Sequence, residues 1–152
     1  MPLEDRKTYK YQSGALYTGR WQGGFRCGYG EMKWADGAIY QGEWKDNRAF
    51  GHGVFVHVDG DVYEGDWAYD KANGHGKYTH GNGAMYEGYW KEDVQHGSGK
   101  EIWADGARYE GEYSYGKKHG KGLYEWNDKS KYTGQWEENN ISGIVLSNYI
   151  HQ

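Results

Sequence analysis

Tyr86-Glu87-Gly88-Tyr89-Trp90, then His96-Gly97-Ser98-Gly99, then Asp105-Gly106 is the stretch whose reading decides the fold. Near-copies of it fill almost the whole chain. Its opening tyrosine recurs as Tyr17, Tyr40, Tyr63, Tyr86, Tyr109 and Tyr132, always 23 residues apart. A fixed interval of that length marks a repeat architecture and outranks any local propensity.

Each unit opens Tyr-x-Gly-x-Trp: Tyr17/Gly19/Trp21, Tyr40/Gly42/Trp44, Tyr63/Gly65/Trp67, Tyr86/Gly88/Trp90, Tyr109/Gly111/Tyr113 and Tyr132/Gly134/Trp136. Aromatic, glycine, aromatic at every second residue places all three on one face of a strand. The side-chain-free glycine is expected to leave a hollow over which neighbouring rings lie flat. A polar stretch of about six residues then closes on Gly-x-Gly, as at Gly51/Gly53 and Gly97/Gly99, and predicts a hairpin loop. A second strand follows, with Met32/Trp34, Phe55/His57, Tyr78/His80, Glu101/Trp103 and Tyr124/Trp126 facing the same way. It ends at Asp36-Gly37, Asp59-Gly60, Asn82-Gly83 and Asp105-Gly106, which signal tight turns; Asp128-Lys129 in the fifth unit predicts a different turn.

The fold class predicted is all-β, a single elongated antiparallel meander of successive β-hairpins, one per 23-residue repeat. Residues 1–8 read as a charged tail, 9–16 as a partial repeat, 17–143 as six units, and 144–152 as a C-terminal tail. At about 4.8 Å per strand, six hairpins span roughly 58 Å. The opposite face, carrying Arg20, Glu43, Glu64, Asp66, Glu87, Glu110, Glu112 and Glu137, is polar and mainly acidic, as for a sheet wet on one side.

Composition agrees. With 26 glycines, 16 tyrosines, 8 tryptophans and only 36% hydrophobic residues, the core must be built from aromatic rings. An aromatic content of 18% argues against disorder. The net charge of −4 argues against a nucleic-acid partner. The lone Cys27 excludes an internal disulfide and suits a reducing, cytoplasmic compartment. No signal region, myristoylation site or apolar span of roughly 18 residues is present.

With the motif laid out, the chain resembles the MORN-repeat family (membrane occupation and recognition nexus). That family's pattern is close to Tyr-x-Gly-x-Trp, a short loop, His-Gly-x-Gly and Asp-Gly. Tyr86, Gly88, Trp90, His96, Gly97, Gly99, Asp105 and Gly106 match it fully, and the resemblance covers about Tyr9 to Gly143. The loop histidine is kept at His96 and His119 but is Cys27, Phe50 and Asn73 elsewhere, which argues against a chemical role. The resemblance implies scaffold or linker roles, often at cytoskeletal, ciliary or membrane-associated structures, and accessory segments of larger enzymes.

The sequence carries no nucleophile elbow, Walker loop or Cys-x-x-Cys, so no enzyme, cofactor or metal site is expected. His52/His75 and His57/His80 sit one repeat apart, about 9.6 Å along the sheet, too far to share zinc readily; most histidines read as aromatic substitutes on the packed face. The leading expectation is an interaction module that binds an extended protein segment through Tyr17, Trp21, Tyr40, Trp44, Tyr63, Trp67, Tyr86, Trp90, Trp103, Trp126 and Trp136. Part of that row must also hold the ribbon together. The alternative is a peripheral module for phosphoinositides or other anionic lipids, using Lys117, Lys118 and Lys121. The apolar tail Ile144, Val145, Leu146, Tyr149 and Ile150 reads as a cap or as an adhesive edge, the latter compatible with a homodimer.

Overall fold

The computed structural model describes residues 2–142. The tail Ile144–Gln152, with Gly143 before it, lies outside the described residues. Among the described residues fourteen strands form one sheet: β1 Leu3–Asp5, β2 Tyr9–Lys10, β3 Leu16–Gln22, β4 Phe25–Lys33, β5 Ile39–Lys45, β6 Arg48–Val56 and β7 Val62–Ala68. The second half is β8 Lys71–Thr79, β9 Met85–Lys91, β10 Val94–Ile102, β11 Arg108–Ser114, β12 Lys117–Glu125, β13 Lys131–Glu137 and β14 Asn140–Ser142. From β3 onward each strand pairs antiparallel with the next in sequence. The predicted meander of one hairpin per repeat is the observed fold. Residues 1–8, read as a tail, contribute an edge strand, because β1 pairs with the far half of β3 while β2 pairs with its start.

The register shows why the glycines recur. Gly19, Gly30, Gly42, Gly53, Gly65, Gly76, Gly88, Gly99, Gly111, Gly122 and Gly134 face one another strand by strand, a row crossing the sheet without a break. The hollow over this seam is filled by the tyrosine of the same unit, not by neighbouring rings lying flat. Each phenol crosses a glycine pair and donates its hydroxyl to the carbonyl three residues on: Tyr17 to Arg20 at 2.8 Å, Tyr40 to Glu43 at 2.7 Å, Tyr86 to Tyr89 at 2.8 Å. A Cβ at Gly88 would meet the Gly99 Cα and the Ser98 carbonyl at 2.5 Å and the Tyr86 hydroxyl at 2.8 Å. Even one methyl has no room.

The polar stretch expected to form a six-residue loop is strand. The hairpins turn on two residues, Asp46-Asn47, Tyr69-Asp70, Glu92-Asp93, Tyr115-Gly116 and Glu138-Asn139, all with positive φ (49° and 69° at Asp46-Asn47), the geometry that matches strand twist. The first glycine of Gly-x-Gly then lies inside the second strand at a bulge, as at Gly51 (φ 94°), where the register slips between Gly42↔Gly53 and Trp44↔Ala49. Acidic side chains of the opposite face clamp these bulges. Glu43 accepts the His52 N–H at 2.6 Å, Asp66 that of His75 at 3.1 Å, and Glu112 that of Lys121 at 2.8 Å. The connection at Asp128-Lys129, expected to differ, keeps the common form. Lys129 takes φ 76° where Gly37 has 100°, and its N–H donates to the Trp126 carbonyl as Gly37 does to Trp34. The Asp128 carboxylate accepting the Ser130 N–H at 2.9 Å holds it there.

Gly88→Val is expected to lose about 2–3 kcal/mol of stability through overpacking of the seam. Gly24→Ala, where a Cβ meets nothing within 4 Å, should stay within about 0.5 kcal/mol of the parent. Equal denaturant midpoints for the two variants would reject the seam as the structural constraint.

Candidate functional site

Tyr17, Tyr40, Tyr63, Tyr86, Tyr109 and Tyr132 form the floor of the aromatic face, and none is more than 3% exposed. Indoles stand edge-on between them. The Tyr17 ring meets Trp21 at 5.1 Å and Trp44 at 5.5 Å, and Tyr40 meets Trp44 and Trp67 at 5.0 and 5.3 Å, all near-perpendicular. Edge-to-face packing is the favourable arrangement for ring quadrupoles. Each indole N–H also ties its unit to the one before. Trp44, Trp67, Trp90 and Trp136 donate to the carbonyls of Gly30, Gly53, Gly76 and Gly122 at 3.0–3.2 Å. Trp21 has no such glycine before it, and its Nε1 is unpaired within the described residues. Tyr113 takes the tryptophan place in the fifth unit and donates to Glu101 at 2.6 Å. Burial first, and the Glu101 charge second, push the Tyr113 pKa far up.

The residues expected to grip a partner therefore divide. Tyr17, Tyr40, Tyr63, Tyr86, Trp21, Trp44 and Trp136 are buried in the ladder, while Trp67, Trp90, Trp103 and Trp126 are half-buried and keep a wet edge. Between the tryptophans and the second-strand aromatics runs a groove with two neighbouring pockets, one repeat apart. One of about 320 Å³ is bordered by Trp34, Tyr40, Phe55, Trp67, Ala49 and Asp70. The next, about 350 Å³, is bordered by His57, Tyr63, Tyr78, Trp90, Ala72 and Asp93. A wider depression of about 450 Å³ lies on the opposite face among Glu87, Lys100, Glu110 and Glu112 and has no tryptophan or phenylalanine wall.

Two equivalent positions along the groove are occupied from within. The Lys118 ammonium sits 4.9 Å from the Trp103 ring centre, 5.6 Å from Tyr109, 5.8 Å from Tyr124 and 6.0 Å from Trp136. The Arg26 guanidinium sits 4.8 Å from Trp44, 5.4 Å from Tyr11 and 5.9 Å from Tyr17, and donates to the Tyr11 hydroxyl and the Asn47 carbonyl. Rings hold cations at such distances through their negative faces. Desolvation lowers the Lys118 pKa, and nearby Glu101 counters it. Lys118 is thus parted from Lys117 and Lys121, which alternate to the other face and stay exposed. Of the histidines expected on the packed face, His57 and His80 are there, 4.5 Å from Phe55 and 4.7 Å from Tyr78. His52 and His75, next to Gly51 and Gly74, are exposed on the other face.

The MORN-repeat pattern matches six consecutive stretches, residues 17–39, 40–62, 63–85, 86–108, 109–131 and 132–144. The chain belongs to the MORN-repeat family. No curated protein matches it. Among solved structures it resembles the TCP domain of SAS-4 (dCPAP) of Drosophila melanogaster, solved in complex with a proline-rich motif of Ana2 (dSTIL). The identity is 14%, over 84% of this chain and 79% of that chain, with a TM-score of 0.48. Among the described residues of this MORN array no helix is long and apolar enough to cross a membrane.

Sequence reasoning passed over Arg26, Phe55, Tyr78, Asp70 and Asp93 as site residues. Stacking the MORN units at their 23-residue period exposes them, as three columns whose chemistry changes from unit to unit while the motif stays fixed.

The buried tyrosine floor sets a pH limit. Burial raises Tyr17 and Tyr109 to about 12, and raises Tyr40, Tyr63 and Tyr86 as well, above the ordinary phenol value of about 10. Above about pH 10 the unfolded chain sheds phenolic protons that the folded chain retains, so stability is full below that pH and is lost as pH rises through about 12. Denaturant midpoints are expected to fall steadily from pH 9.5 upward, with a further step of tyrosinate absorbance when the chain unfolds and the floor tyrosines are released. Constant midpoints across that range would contradict a sealed tyrosine floor.

Proposed function

We propose that this MORN array is a non-catalytic interaction module that holds an extended segment of a protein partner along its aromatic groove. The observation that carries the reading is the pair of open pockets at repeat spacing, walled by half-buried Trp67, Trp90 and Phe55 on a floor already fixed by the tyrosine ladder. Aromatic walls that need no reordering bury much area at small entropic cost, which suits an interface anchor. Repeat stacking extends such a surface over a long ligand without a deep cavity. Membership of the family supports a place in a cytoplasmic assembly at cytoskeletal, ciliary or membrane-associated structures.

A lipid-surface reading has less support. It would rest on Lys117 and Lys121, because the Lys118 ammonium is withdrawn among four rings.

Pull-down comparisons separate the faces. Phe55→Ser with Trp90→Ala is expected to lose the partner recovered by the parent chain, while Glu64→Lys with Glu87→Lys on the opposite face keeps it. Both variants must first give the parent's circular dichroism spectrum. Retention by the folded groove variant would reject the groove.

A further inference from the structure

Two columns of the array vary together. At the position after the start of each second strand stand Arg26, Ala49, Ala72, Gln95 and Lys118. At the second residue of the following hairpin turn stand Asn47, Asp70, Asp93, Gly116 and Asn139. The two meet by a repeated pair of contacts: the turn residue's N–H donates to the first column's carbonyl, and its side-chain oxygen accepts the first column's backbone N–H at 2.8 Å, from Arg26 to Asn47, Ala49 to Asp70, Ala72 to Asp93 and Lys118 to Asn139. Asparagine and aspartate serve that hydrogen bond equally well, so the bond does not explain the choice between them.

Charge does. Where the chain supplies its own cation, at Arg26 and Lys118, the turn residue is neutral asparagine. Where the first column is alanine, the turn residue is a carboxylate. Lys118 marks the place a cation takes in this cage, among Trp103, Tyr109, Tyr124 and Trp136. One array step is 23 residues, so the equivalent walls around Ala49 are Trp34, Tyr40, Phe55 and Trp67, and those around Ala72 are His57, Tyr63, Tyr78 and Trp90. The alanine methyl leaves each cage open; Asp70 lines the first, with Arg26 at its far side, and Asp70 and Asp93 both line the second. The fourth cage is a different case, with Gln95 at the plug position and Glu101 committed to Tyr113.

We infer that the two open cages at Ala49 and Ala72 bind lysine or arginine side chains of a partner segment, the external counterparts of Arg26 and Lys118. The inference rests on the aromatic-groove reading and names the chemistry that groove selects. The pockets, at about 320 and 350 Å³, have room for a long side chain. They lie one repeat apart, about 9.6 Å along the sheet. A polyproline-II segment repeats every three residues and rises about 3.1 Å per residue, so basic residues at i and i+3 fall about 9.3 Å apart on one side. Side chains on one face of a β-strand, about 6.7 Å apart, miss this spacing.

The test is a titration of the isotopically labelled full chain with acetyl-Lys-Pro-Pro-Lys-amide at low ionic strength, read at the indole resonances of Trp67 and Trp90. A control peptide carries norleucine for both lysines and keeps the aliphatic stem without the charge. Saturating shifts with the lysine peptide, and binding at least tenfold weaker with norleucine, are expected. Asp70→Asn with Asp93→Asn should weaken lysine-peptide binding at least fivefold at an unchanged denaturation midpoint, because Asn47 and Asn139 already make the same hydrogen bond in this fold. Ala72→Lys, which plugs one cage from within, should remove the Trp90 shift. Equal affinity for the norleucine peptide would overturn the cation sites while leaving the groove itself standing. Absence of shifts at millimolar lysine peptide, or full binding by the double asparagine variant, would overturn them as well; the pull-down comparison of the two faces decides the groove independently.

Discussion

Every strand beyond β2 depends on one constraint: a phenol ring laid across a pair of facing glycines. A sheet one layer thick has no second layer to bury its apolar face, and this composition supplies few aliphatic side chains to make one. Removing side chains along a central row lets large rings sink onto the backbone itself. Tyr40 reaches 1% exposure this way, with the Gly42 and Gly53 backbone below it, its hydroxyl on the Glu43 carbonyl and two indoles against its edges. The tyrosine hydroxyl, which would be costly to bury unpaired, is satisfied within its own strand and asks nothing of a neighbouring unit. Coupling between units is left to the indoles, through the Trp-to-Gly hydrogen bonds and the edge-to-face contacts. The array is therefore held by nearest-neighbour terms, as in other linear repeats.

The period, the strand assignment and the meander were legible because Tyr-x-Gly-x-Trp alternates at two residues and repeats at 23. The turns were harder, for a physical reason. Asp46-Asn47 and Glu92-Asp93 carry no glycine, yet both residues of each adopt positive φ, a conformation usually flagged by glycine. The Gly51 and Gly97 signals drew the loop assignment toward residues that belong to bulges. Lys129 misled in the opposite sense: a non-glycine holds the left-handed position because Asp128 and the flanking backbone bonds over-determine that connection.

The site was partly legible. The aromatic face is where the sequence put it, but period-two reasoning says only which way a side chain points and not what covers it. Tyr17 and Trp67 therefore looked alike as anchors, and only packing separates a sealed floor residue from a half-wet wall. Lys118 could not be told from Lys117 and Lys121 by composition. Its direction follows from plain alternation, since Lys118 and Gly122 are four residues apart and the register slip between them keeps the parity; what alternation does not give is the four rings that surround its ammonium.

The seam also explains how units of one array come to differ in chemistry. Positions in the glycine row are fixed, since a Cβ there meets the facing backbone or the overlying tyrosine ring at about 2.5 Å. The column from Arg26 to Lys118 stands outside the seam, past the register slip, and its repeated bonds to its neighbour use the backbone N–H and carbonyl, which any residue but proline provides. Charge, length and hydrogen bonding can change there without disturbing the fold. The partner column from Asn47 to Asn139 keeps the acceptor oxygen, except at Gly116, where the Gly116 N–H to Gln95 carbonyl bond persists without it. Stability and recognition are thus written in different columns of the same repeat. An array can close one cage with its own cation and leave the next open and acidic while each unit folds by the same contacts.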